Sequence, residues 1–255
     1  MNSIKKYWEN NAIIHGASHW ASWGDSYAID LEVDCVSKYI HDGDNVLDVG
    51  CANGYSTIQQ YKKRPSIYIT GIDYSEEMIK AARVANIGGG DIEFAVGDIR
   101  GIGYADETFD TVYTTRVLIN LPTWEEQKQG IRECLRVTKK GGVVVLSEGF
   151  WEPLVKLNAM RMLCGLHPLN EHDFNRYLKQ SKLHEFLANI GLSWEVDEFS
   201  AVYYLGSRLL RELLLDVTKY EGYENPINKL FHKLSDTYKT SGFGIQIAYV
   251  IRKNR

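Results

Sequence analysis

Cysteine is sparse in this 255-residue chain. Cys35, Cys51, Cys134 and Cys164 are scattered and form no C-x-x-C pair, so neither a zinc site nor a disulfide framework is expected. Free thiols in a reducing, cytoplasmic compartment fit this usage. Basic charge is also short: 29 Lys and Arg against 33 Asp and Glu leave a formal net charge of −4, which argues against binding driven by nucleic-acid counterion release. No uninterrupted apolar run approaches the roughly 20 residues of a membrane span. The segment from Met1 to Asn11 carries Lys5, Lys6 and Glu9 and no apolar stretch, unlike a secretory leader. Repeats and low-complexity linkers are missing as well. What is left is 44% hydrophobic and 24% charged, an ordinary globular composition that buries a core. The expected partner is a small-molecule substrate, with neither nucleic acid nor membrane.

Between residues 45 and 148 apolar strands alternate with amphipathic helices, the pattern of a parallel sheet covered on both faces. Strands are expected at Asn45–Val49, Ile67–Ile72, Asp91–Val96, Phe109–Thr115 and Val143–Ser147, with Lys139-Lys140-Gly141-Gly142 as the turn into the last. Ser75 suits a helix N-cap, and Glu76 and Glu77 follow in the first turn, where the helix dipole favours anions. Gly88-Gly89-Gly90 is expected to stop that helix. Thr123 and Glu126 make a capping box for the next one. After residue 150 the alternation breaks. Residues 150–191 read as helix and loop, Ser193–Tyr204 as a strand, and Leu209 to Val217 as a helix; Gly244–Arg252 reads as the final strand. On the Ser193–Tyr204 strand, Tyr203 and Tyr204 would alternate, putting at most one ring in a pocket.

The run Val46-Leu47-Asp48-Val49-Gly50-Cys51-Ala52-Asn53-Gly54-Tyr55-Ser56-Thr57 is the densest in chemistry. An apolar strand reaches an acid, turns on two glycines and enters a helix. Glycine tolerates positive φ and has no Cβ to hold backbone amides away from a ligand. A nicotinamide-type dinucleotide site would read Gly-x-Gly-x-x-Gly, and Ala52 stands where its middle glycine belongs. Asp73 ends the second strand and can accept hydrogen bonds from two vicinal ribose hydroxyls, a role common to several nucleoside cofactors.

The run closely resembles motif I of the class I S-adenosylmethionine-dependent methyltransferases. Asp73, then Val96-Gly97-Asp98-Ile99, then Thr115-Arg116-Val117-Leu118-Ile119-Asn120-Leu121 follow in that family's order, with Lys140-Gly141-Gly142 after them. The resemblance implies an α/β fold: a Rossmann-like, seven-stranded, mostly parallel sheet whose sixth and last strands are antiparallel. It implies S-adenosyl-L-methionine as cofactor. It also implies an N-terminal helical cover over 1–42 and a cofactor-binding core over 43–148. A C-terminal part over 149–255 would complete the sheet, with substrate covers near 150–180 and 205–242. Cofactor contacts are implied for Asp48, Gly50, Cys51, Ala52, Asn53 and Gly54 in the turn, and for Asp73, Tyr74 and Met78 after the second strand. Asp98 and Ile99 would meet the adenine, Thr115 and Arg116 the methionine, and Tyr7 and Trp8 would close over that end.

Missing motifs narrow the acceptor. No Asn-Pro-Pro-Tyr-like segment or cysteine follows the fourth strand, so methylation of a nucleic-acid base is not expected. Magnesium-dependent catechol-type enzymes carry a carboxylate where Thr115 and Arg116 stand, so no metal is expected. His15 and His19 are candidate general bases, although simple packing of the Trp20 and Trp23 segment would also account for them; Glu148 is a further base candidate. Arg116, at the carboxyl edge of a parallel strand, suits an anionic substrate. Arg161, His167, His172 and Arg176 either extend that pocket or lie solvated on helices. His15-Gly16-Ala17-Ser18 with Ser22-Trp23-Gly24-Asp25 resembles bacterial methyltransferases of surface-polysaccharide clusters. That resemblance implies O-methylation of a small, anionic or nucleotide-linked glycan precursor. An N-methyltransferase and a non-catalytic cofactor-binding module stay open as alternatives.

Overall fold

Each apolar run between residues 45 and 148 becomes a strand of one sheet in a computed structural model that describes residues 2–87, 89–216, 218–220 and 222–254. The strands are β1 (Asn45–Val49), β2 (Tyr68–Asp73), β3 (Ile92–Val96), β4 (Phe109–Thr115), β5 (Thr138–Gly149), β6 (Trp194–Asp197) and β7 (Gln246–Arg252). They lie in the order β3-β2-β1-β4-β5-β7-β6. β1 to β5 are parallel, and β7 runs antiparallel to both of its neighbours, β5 and β6. The sixth strand therefore points with the first five, against expectation, and the last strand alone is reversed. Successive strands run outward from β1 to β3, and the chain then returns to the other side of β1 with β4. That reversal opens a crevice at the carboxyl ends of the strands, where open α/β sheets hold ligands.

The helices are α1 (Asn2–His15), α2 (Ser26–Ser37), α3 (Tyr55–Lys63), α4 (Glu76–Ala85), α5 (Trp124–Val137), α6 (Trp151–Leu163), α7 (Gln180–Asn189), α8 (Ala201–Leu205), α9 (Arg211–Leu214) and α10 (Pro226–Thr237). Their starts follow from local chemistry. Ser75 Oγ accepts the Met78 amide at 3.2 Å, and Thr123 Oγ1 accepts the Glu126 amide at 3.3 Å. The first of these helices, α4, ends at Ala85 with Asn86 as its C-cap, ahead of the glycine run; Gly88 and Val217 lie outside the described residues. Leu31 and Val36 of α2, Ile58 of α3 and Ile79 of α4 pack on one face of the sheet. Ile131 and Leu135 of α5, with Leu183 and Leu187 of α7, cover the other.

Two local expectations are corrected. Lys139-Lys140-Gly141-Gly142 is part of β5, not a turn before it. Gly141 donates to the Lys253 carbonyl at 2.9 Å, Lys253 donates back to Gly142 at 3.0 Å, and the register on β4 slips between Phe109 and Thr111. The extra residues are taken up as a bulge. The Ser193–Tyr204 run splits into the short β6 and the helix α8. Tyr203 and Tyr204 are thus helical and both buried. Tertiary contacts override strand propensity here: the Tyr203 hydroxyl donates to the buried Asp25 carboxylate at 2.6 Å, and the Arg208 guanidinium lies 5.1 Å from the Tyr204 ring centre.

Candidate active site

The turn after β1 is built by backbone conformations that favour glycine. Gly50 has φ +79°, Ala52 +48° and Gly54 +76°. The Gly50 and Cys51 amides both donate to the Ile72 carbonyl, at 2.7 and 2.9 Å, locking the turn onto the end of β2. Both glycines also serve the chain's own packing. A Cβ on Gly50 would stand 2.2 Å from Val117 Cγ2, and one on Gly54 would stand 2.6 Å from the Phe94 ring.

Three carboxylates line the cavity beside this turn: Asp48 in β1, Asp73 ending β2 and Asp98 just past β3. Asp48 is buried; its Oδ2 accepts the Thr57 hydroxyl at 2.6 Å, and its Oδ1 has no partner among the described residues. Burial pushes its pKa up to about 7, opposed by the Thr57 hydrogen bond and by the nearby Tyr113 hydroxyl, whose position falls short of normal hydrogen-bond geometry. Asp73 accepts the Ser75 and Ala52 amides at 2.8 and 3.0 Å, and burial pushes it up to about 6. Asp98 is held by Arg100, whose Nε lies 2.9 Å from its Oδ1, and that hydrogen bonding keeps its pKa below the usual range.

A cavity of about 460 Å³ runs along the carboxyl edge of the sheet, from Asp98 and Ile99 on the β3 side to Gly149 and Gln246 on the β5–β7 side. Such a volume is ordinary for a small-molecule site. Asp48, Gly50, Cys51, Ala52 and Asn53 line its middle. Asp73, Tyr74 and Met78 join them from β2 and α4, Thr115 and Arg116 from β4, and Tyr7 and Trp8 close it from α1. Gly54 stands behind the wall. Asn53 also reaches out of the core: its Nδ2 donates to the Gly16 and Ser18 carbonyls at 2.7 and 2.8 Å, pinning the N-terminal cover to the turn.

The expected catalytic groups fare differently. His15 and His19 do not line the cavity; both rings pack near Trp20, and His19 also against Tyr55. Glu148 is fully buried outside the cavity wall, and its oxygens are claimed from within. Thr114 Oγ1 donates to Oε1 at 2.7 Å, the Val117 and Leu118 amides at 3.1 Å each, and the Ile119 amide reaches Oε2 at 3.3 Å. Glu148 is an anchor for the turn after β4, where a base would need open access to a substrate proton. Arg116 is in the wall at φ +58°, with its Nε 3.0 Å from Oε1 of the buried Glu32 and its guanidinium 4.7 Å above the Trp23 ring. The larger anion pocket does not assemble. Arg161 is paired with Glu212, Arg176 donates to the Asp173 and Asn175 carbonyls, and only His172 of that group reaches the cavity.

Sequence reasoning passed over Glu32 and Gln246. Gln246 had a visible signal, a lone amide in the apolar run Ile245-Gln246-Ile247-Ala248. Glu32, inside an amphipathic helix, had none.

Residues 40–190, more than half of the chain, match the family described as methyltransferase domain. The chain belongs to that family. A demethylmenaquinone methyltransferase of Thermotoga maritima is 26% identical to it over 199 residues, spanning 76% of each protein. A ubiquinone biosynthesis O-methyltransferase of Xanthomonas euvesicatoria is 28% identical over 158 residues, which cover 60% of this chain and 64% of that enzyme. Among solved structures, magnesium protoporphyrin IX methyltransferase of Synechocystis PCC 6803, with bound S-adenosylhomocysteine, superposes with a TM-score of 0.59 over 99% of this chain and 95% of its own. At 16% identity that likeness is one of fold.

The chain is an S-adenosylmethionine-dependent methyltransferase. The site's chemistry fits that cofactor: a row of carboxylates lines the cavity, as a molecule bearing an ammonium and a sulfonium would require, and Asp48 Oδ1 makes no hydrogen bond of normal geometry among the described residues. No helix of the described residues is long and apolar enough to cross a membrane.

Proposed function

We propose that this methyltransferase acts on an oxygen of a small, uncharged molecule bound at the β5–β7 end of the cavity. The observation that carries the reading is the continuity of the cavity, which joins the three carboxylates to an end walled by Tyr177, Tyr204 and Tyr223. Asp48 Oδ1 would take the cofactor's ammonium, Asp73 its ribose hydroxyls, and Asp98 with Ile99 its adenine. Bound there, the cofactor supplies a methyl group on positively charged sulfur. The chain's own contribution is alignment, which in well-oriented systems lowers a barrier by roughly 7–11 kcal/mol. His172 lines the cavity, its ring tilted against Phe174 (ring centres 4.2 Å apart) and Tyr7 (5.8 Å), and would be the group that accepts the hydroxyl proton.

An oxygen acceptor agrees with the O-methyltransferase among the relatives. A nucleotide-linked glycan precursor would ask for uncompensated cations at its phosphates. The two arginines in the wall are each paired, Arg116 with Glu32 and Arg100 with Asp98 and Glu126, so an uncharged acceptor suits the site better. Incubation with methyl-labelled cofactor and a metabolite extract fractionated by charge tests this. Label in the neutral fraction is expected; label confined to the anionic fraction would refute it.

A further inference from the structure

We infer that Gln246 reads the acceptor, and that it selects a planar ring with two neighbouring hydroxyls. The inference rests on the acceptor end proposed above and adds the group that recognises the molecule there. Gln246 opens β7, is 2% exposed and lines the cavity, yet neither its Oε1 nor its Nε2 has a partner among the described residues. Its backbone is fixed. It sits opposite Gly149 in the β5 register, and its carbonyl accepts the Ser200 hydroxyl at 2.6 Å. Farther along the same face of β7, Ala248 and Val250 are ordinary core residues. A buried amide with both ends unpartnered is costly, and a leucine at this position would avoid the cost. Such a group repays its cost when a ligand completes it.

The surroundings define what that ligand is. A carboxamide offers a donor and an acceptor side by side in one plane, so its complement carries an acceptor and a donor on neighbouring atoms. Two adjacent ring hydroxyls meet that demand; hydroxyls one position farther apart do not. The rings of Tyr177, Tyr204 and Tyr223 line the same cavity. Tyr204 and Tyr223 each lie 5.1 Å from the guanidinium of Arg208, which is itself paired with Asp25 at 2.7 Å, so these rings are held from behind. Opposite Gln246, Gly149 lets the Tyr177 ring pack directly on the backbone of β5: a Cβ there would come within 3.0 Å of that ring. A planar, uncharged ring slots between such walls, with its hydroxyl pair on Gln246.

The test uses the protein saturated with S-adenosylhomocysteine and two probes of equal composition, 2,3-dihydroxynaphthalene and 1,3-dihydroxynaphthalene. Wild-type protein should bind the 2,3-isomer at least tenfold more tightly, by ligand-observed NMR titration. Gln246→Leu should abolish the preference while keeping S-adenosylhomocysteine affinity within twofold and a thermal midpoint no lower than wild type; Gln246→Met gives the same reading if the leucine variant does not fold. Equal affinity of wild type for the two isomers, no binding of either, or a preference kept in Gln246→Leu would each overturn the assignment. Failure of wild type to bind S-adenosylhomocysteine would overturn the acceptor reading with it, which keeps the two failures apart.

Discussion

At the scale of single residues, the account rests on carboxylates that burial holds away from their ordinary ionisation. Asp48 and Asp73, pushed up to about 7 and about 6, bind protons in the folded chain that they release when it unfolds between their ordinary pKa, about 4, and those values. The folded state then holds more protons than the unfolded one, so these groups make the free protein lose stability as pH rises through that window. In the proposed placement the cofactor's ammonium and ribose hydroxyls would favour the ionised carboxylates, so its affinity should move the other way. S-adenosylhomocysteine should bind more weakly at pH 5.5 than at pH 8, and Asp48→Asn should bind weakly at both with a flatter profile. Calorimetric titration across that range checks it; a wild-type affinity independent of pH would remove Asp48 and Asp73 from cofactor binding. These acids were legible in the sequence because each ends a strand of a recognisable alternation. Glu148 ends a strand too, but no sequence pattern reveals that Thr114 and three amides of the next turn already occupy its oxygens.

At the scale of elements, those hydrogen bonds make Glu148 the clamp that holds the turn after β4, and with it Arg116, at the cavity. Glu148→Ala strands the Thr114 hydroxyl and three amides in the core and should cost roughly 3 kcal/mol or more in urea denaturation. His172→Asn should leave stability nearly unchanged and lower kcat by roughly 10²- to 10⁴-fold. His15→Asn and His19→Asn, outside the cavity, should leave kcat alone. Full activity in His172→Asn would favour an amine acceptor, which needs no base. Most strand and helix bounds in the core were readable to within a residue or two; β5 was not, because Gly141 and Gly142 read as a turn and the strand begins at Thr138. The β6–α8 segment was not, because its aromatic residues carry strand propensity while Asp25, the partner of Tyr203, lies 178 residues away in the sequence.

At the scale of the whole molecule, the parallel core supplies the part of the cavity lined by the three carboxylates, while segments on either side of it in the sequence supply the rest. α1 closes over the turn after β1, and Tyr204, Tyr223 and Gln246 arrive from the C-terminal part. These pieces are tied by a buried ion pair between positions 183 apart: Asp25, the N-cap of α2, accepts from Arg208 in the π turn Gly206–Leu210 that links α8 to α9. Arg208→Leu leaves that carboxylate uncompensated and should cost about 3–5 kcal/mol, read by chemical denaturation. An unchanged stability would mean that the covers are held by packing alone. This long-range pairing is why the sequence announced the methyl donor but left the acceptor end to be found in the folded chain.

The most direct measurement is calorimetric titration of S-adenosylhomocysteine into wild-type protein and Asp73→Ala at pH 8. Saturable binding to one site is expected in wild type, weakened at least tenfold in a variant that stays folded. No binding by wild type, or equal affinity in the two proteins, would contradict the placement of the cofactor at the carboxyl ends of β1 and β2.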